Sequence, residues 1–208
     1  MLNVARQFII RLFPIFFAGA ASILFIMHRV PLPTLTMIEP GFSTCHLPCW
    51  AGVTLYETGF RDSVKIITAN LPNWDVSVQG TNAQYGFYAN QDQKQVGGVV
   101  YEDRGSVGRM RLDMIFPLRY LLDTLGRPYC VRANHLSSID VDVVLVYWRL
   151  GDSAAVGVMK LDPPERWSPG VSIESLLILS SYEECSLFDA QPWRGFARLW
   201  HYQTNNVD

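Results

Sequence analysis

The run Leu12–Met27, LFPIFFAGAASILFIM, carries no charged side chain, and this narrows what the chain can be more than any other feature. Extended back across Arg11 to Phe8, it is long enough as a helix to cross a hydrocarbon core of roughly 30 Å at about 1.5 Å per residue. No polar face interrupts it, so in water it would have nothing to present to solvent. Arg11 can carry its guanidinium back to the headgroups. Pro14 falls in the first turns, where a missing N–H costs little. Residues 1–29 are therefore read as a membrane anchor, with lipid contacts through residues 8–27. Ala18, Gly19, Ala21 and Ser22 form a small-residue patch suited to packing on a neighbouring membrane helix.

Orientation follows from the flanks. Arg6, Arg11 and the amino terminus precede the run and Arg29 follows it. The positive-inside rule then places the N-terminus in the cytoplasm and the body outside, on a single-pass anchor. A cleaved signal peptide is the rival reading, because Ala18-Gly19-Ala20 fits a small-x-small cleavage site. Cleavage there would leave Ile23–Met27 as an apolar mature N-terminus, which favours the uncleaved anchor. Residues 30–44 contain Pro31, Pro33 and Pro40 and read as an extended linker.

The body is mildly acidic. Without the three arginines of the first segment, 14 basic residues face all 19 acidic ones, a net charge of −5. Nucleic acid needs a concentrated basic face to displace its counterions, so it is excluded as a partner. A hydrophobic fraction of 49% and 6 Trp, 9 Tyr and 11 Phe supply enough apolar material for a packed core.

Two helix starts stand out. Thr58 is a candidate N-cap, with Phe60, Val64, Ile67 and Leu71 on one helical face and Pro72 closing the element. The second is FPLRYLLDTLGRP, residues 116–128. Pro117 opens it, Leu118, Leu121, Leu122 and Leu125 form its stripe, and Gly126 and Pro128 end it. Strands are expected at 74–79, 85–89, 97–102, 109–114, 141–150, 154–161 and 171–180. Residues 103–108 suit a hairpin turn, and so does Gly151-Asp152. Helix then antiparallel strands, twice over, reads as α+β: two helix-plus-antiparallel-sheet modules, 45–115 and 116–208, packed together.

Cys45, Cys49, Cys130 and Cys185 allow three pairings. If the body lies outside the cytoplasm, disulfides are permitted. A local Cys45–Cys49 bridge would leave Cys130 with Cys185; the alternative is buried thiols. The Cys-x-x-x-Cys around His46 lacks a second ligand pair, so zinc is not expected.

The stretch Pro48-Cys49-Trp50-Ala51-Gly52-Val53, followed by Thr58, Phe60, Val64 and Leu71, resembles the opening of uncharacterised membrane-anchored proteins of Chloroflexus-like bacteria. Tyr56 stands where that group has a turn glycine. Leu125-Gly126-x-Pro128 resembles the same group. More distantly, both helix starts are similar to outer-membrane assembly lipoproteins of the SmpA/BamE type and to the β-lactamase-inhibitor-like fold. The resemblance implies binding or assembly rather than catalysis, and it carries over no active site.

No catalytic residue, metal site or cofactor is expected. His135, Ser137 and Asp140 share one loop and define an alternative reading as an extracytoplasmic hydrolase, but no Gly-x-Ser-x-Gly elbow accompanies them. Asp140 and Asp142 alternate with valines, as on a solvated strand. The glycines at 97, 98, 105 and 108 do not form a phosphate loop. Trp193, Arg194, Phe196, Trp200 and Tyr202 make an aromatic and basic stretch of the kind favoured at interface hot spots, and are the candidate partner contacts. The expected protein is a membrane-tethered, non-enzymatic binding or assembly factor, an accessory subunit of a larger membrane complex. An inhibitor-like module acting through a sheet face is the third reading.

Overall fold

The computed structural model describes residues 41–42, 44–91, 94–136, 140–161, 167–181 and 184–202. The anchor expected at 1–29, its packing residues Ala18, Gly19, Ala21 and Ser22, and most of the linker lie outside these. Among the described residues no helix is long and apolar enough to cross a membrane.

Alternation of apolar and polar residues dominates the body, and it builds strands. A short helix, α1 (Phe60–Asn70), precedes β1 (Asp75–Gly80), β2 (Gln84–Gln91), β3 (Lys94–Asp103) and β4 (Ser106–Pro117). A second, α2 (Leu118–Leu125), precedes β5 (Cys130–Leu136), β6 (Val141–Leu150), β7 (Ser153–Leu161), β8 (Ser172–Leu179) and the two-residue β9 (Gln191–Pro192). All nine strands join one antiparallel sheet in the order β1-β2-β3-β4-β8-β7-β6-β5-β9.

This corrects the α+β expectation. Among the described residues the chain is largely β, one continuous sheet with two short helices, and not two helix-plus-sheet modules. The boundary expected after residue 115 falls inside β4, and pairs such as Met110↔Ile178 and Leu112↔Leu176 fuse β4 to β8. Residues so far apart in sequence leave no local mark of their pairing.

One face of the sheet forms the main core. Register places Phe87, Val100, Met110, Leu112, Leu176, Ile178, Met159 and Val146 on it, all at 3% exposure or less. Both helices meet this face. From α1, Phe60 packs on Tyr85 and the buried Ser63 hydroxyl pairs with the Tyr85 hydroxyl at 2.6 Å. Burial pushes the Tyr85 hydroxyl above its ordinary value of 10.0, against the opposing effect of that hydrogen bond. At the end of α2, the Gly126 carbonyl accepts the Trp148 indole N–H at 3.0 Å.

The N-cap of α1 is Gly59 rather than Thr58. The Thr58 hydroxyl instead accepts the Thr54 N–H at 2.9 Å and closes the preceding turn. Pro117 is likewise the residue before α2 rather than its first. Trp50 is fully buried and stacks on Phe87 at 5.1 Å, which ties the segment before α1 to the sheet.

Candidate binding face and groove

The opposite face of the sheet is divided. Over the middle of β5, β6, β7 and β8 it is apolar and partly covered, while Leu136, Arg149 and Lys160 on the same face are exposed. Cys130, Tyr147, Val156 and Ala190 form a small second core with Leu145, Leu177, Leu179 and Tyr129 packed around it. The cover is the C-terminal segment, whose 3-10 turn Cys185–Phe188 is bonded to β5 through the Cys130–Cys185 disulfide. The other bridge, Cys45–Cys49, sits just before Trp50, and no free cysteine remains.

Over β1 to β4 the same face carries polar and aromatic side chains in place of apolar ones. Tyr88, Gln84, Gln95, Arg109, Arg111 and Asp113 are exposed. The Tyr88 hydroxyl donates to Gln95 Oε1 at 2.9 Å. Arg111 pairs with Asp113 at 3.0 Å, and the Arg109 guanidinium lies 4.0 Å over the Tyr101 ring. These neighbours order long side chains without hiding them.

A groove of about 460 Å³ lies at one end of this open region. Tyr56, Gln84, Tyr101, Glu102, Asp103, Arg109, Ser180 and Ser181 are among its lining residues. Tyr56 adopts φ 58°, a left-handed conformation that costs a bulky residue roughly 1–3 kcal/mol. The surroundings hold it there. Its N–H donates to the Val107 carbonyl at 2.8 Å, and its hydroxyl donates to Asp103 Oδ2 at 2.8 Å. The ring nonetheless stays 51% exposed. The tight turn therefore forms with a tyrosine at the position where a glycine would be free of strain. Glu102 accepts the Gly105 N–H and so shapes the β3–β4 turn.

The other sequence candidates are placed as follows. His135 lies near the end of β5, with Nδ1 3.1 Å from Asp142 Oδ1 and Nε2 3.7 Å from Asp140 Oδ1. All three belong to the β5–β6 hairpin end, and the His135 and Asp140 side chains are 45% and 82% exposed. Ser137 lies outside the described residues. Among the described residues no group of His, Cys, Asp and Glu could hold a metal ion.

In the C-terminal stretch, Tyr202 is fully buried rather than displayed. Its hydroxyl donates to the Gly195 carbonyl and accepts the Arg194 N–H, both at 2.8 Å, and its carbonyl accepts the Ala133 N–H at 2.9 Å. Burial raises its hydroxyl above 10.0, with the nearby Arg194 and Arg127 opposing. Trp193 packs against Tyr202, Trp167 and Phe196. Arg194 and Phe196 remain exposed, Phe196 at 38%. Trp200 falls in the 3-10 turn Leu199–His201. This stretch is thus partly a structural closure of the sheet edge. The sequence reading missed the open face over β1–β4 and the groove. The available signal was the contrast between strict alternation in β4 and the near-continuous apolar run of β6, which marks a strand buried on both faces.

Compared with known protein families, curated proteins and solved structures, the chain matches none.

Proposed function

We propose that the chain is a membrane-tethered, extracytoplasmic binding protein that presents the open half of its sheet to a protein partner. The observation that carries this reading is the contrast within one sheet face between a part covered by the C-terminal segment and an exposed part over β1–β4. Antiparallel sheets commonly leave one face to solvent, so it is the composition of the open part that matters. Here the exposed half combines tyrosines with arginines held flat or paired, the composition favoured at interface hot spots. Two bridges that use every cysteine fit an oxidising compartment. The uncharged run before the body supplies the tether. The small residues Ala18, Gly19, Ala21 and Ser22 offer a second contact, within the membrane, for an accessory subunit.

Site-specific photo-crosslinking in cells tests this. A crosslinking side chain in place of Tyr88 is expected to give a discrete adduct, weakened at least tenfold by Arg111→Glu. The same group at Asp123, an exposed position on α2, is expected to give none. Equal adducts from both positions, or none from Tyr88, contradict the reading.

A further inference from the structure

We propose that the groove beside Tyr56 is a saccharide site for a neutral disaccharide. The proposal goes beyond the protein-binding reading; it shares Arg109 with that reading but rests on the groove and on Tyr56. The first observation is the balance of the lining. Glu102 and Asp103 each bring a negative charge and Arg109 a positive one, so a strongly anionic ligand meets two carboxylates and a cationic one meets a guanidinium.

A sugar hydroxyl both donates and accepts, and the groove answers in both senses. The carboxylates accept, the Arg109 guanidinium and Gln84 amide donate, and the Ser180 and Ser181 hydroxyls do either. Both acids are fixed before any ligand arrives, Asp103 by the Tyr56 hydroxyl and Glu102 by the Gly105 N–H. Arg109 is fixed by its stack on Tyr101. Preorganisation of this kind reduces the ordering cost of binding.

The second observation is Tyr56 itself. Its half-exposed ring is held beside these polar groups in a backbone conformation that glycine would adopt freely. An aromatic ring there offers an apolar plate against which the C–H face of a pyranose can lie. The volume, about 460 Å³, falls in the range of small-ligand sites and suits two sugar rings better than a long chain.

The test titrates the full chain, in a detergent without a sugar headgroup, with N,N′-diacetylchitobiose, cellobiose, maltose and lactose. Saturation-transfer NMR and calorimetry read binding. At least one disaccharide is expected to bind saturably. Arg109→Ala, an exposed change, is expected to weaken it at least tenfold. Tyr56→Gly is expected to do the same while leaving the melting temperature within a few degrees, since glycine accepts the turn. If Tyr56→Gly melts the fold, Arg109→Ala alone decides. Failure of all four sugars to bind, or undiminished affinity in Arg109→Ala, overturns the proposal. Photo-crosslinking from Tyr88 reports separately on the protein partner, so the two readings can fail independently.

Discussion

Replacing Cys130 and Cys185 together by alanine is expected to lower stability by about 4 kcal/mol. The bridge spans 55 residues, and closing a loop of that length removes about 14 cal/mol/K of entropy from the unfolded chain in the chain-entropy description. A domain of this size has only about 5–15 kcal/mol in total. The loss is also structural, because the bridge holds the C-terminal segment over Tyr147 and Val156. Loosening that cover would give the protected half of the sheet the same access to solvent as the open half. Urea unfolding of the double variant is expected to show the lowered midpoint, with increased binding of a hydrophobic dye before the main transition. The Cys45–Cys49 pair, which spans 4 residues, should cost only about 2 kcal/mol by the same reasoning. Equal losses from the two pairs would mean that the long bridge does not hold the cover in place.

Gly98→Ala is expected to destabilise by about 3 kcal/mol or more, through overpacking rather than conformational strain. Gly98 lies on the helix-covered face of β3, opposite Phe87 of β2 and Leu112 of β4. An added Cβ would run into the Arg111 carbonyl and stand 2.6 Å from the Phe87 ring. Neither can yield. The carbonyl belongs to the sheet, and the ring is wedged against the fully buried Trp50. The melting temperature should fall by roughly 6–12 °C. Gly97→Ala is the control. Its Cβ would touch the Tyr88 ring at 3.3 Å, but that ring is 47% exposed and can swing away, so a much smaller drop is expected.

These two sites show where local sequence is informative and where it is not. The β6–β7 hairpin was legible because ten apolar-rich residues run into Gly151-Asp152 and nine more leave it; Leu150↔Ser153 closes it as expected. The leucine stripe of α2 and the turn at Arg104-Gly105 were legible for the same reason. In contrast, no strand is expected over β5, and its end from Asn134 reads as part of a polar loop, because Arg132, Asn134 and His135 mask a weak apolar alternation of Val131 and Ala133. Its strand character comes from pairing with β6 and β9, which propensity cannot supply. The union of β4 with β8 was invisible, since each strand alternates correctly whichever neighbour it has. At the site, Arg109 and Arg111 were seen only as the polar half of a strand. What gives them meaning is that, among the described residues, they are exposed while the Cys185 segment covers part of the other half of the same face. The cysteines were nearest to legible, because the four-residue spacing of one pair singled out the other.

The central claim is that this disulfide-stapled body matures outside the cytoplasm. The most direct measurement takes the full chain from living cells under denaturing conditions and reacts it with a mass-adding maleimide, before and after reductant. The account predicts no added mass at first, and labelling at Cys45, Cys49, Cys130 and Cys185 after reduction. Four reactive thiols without reductant would contradict it.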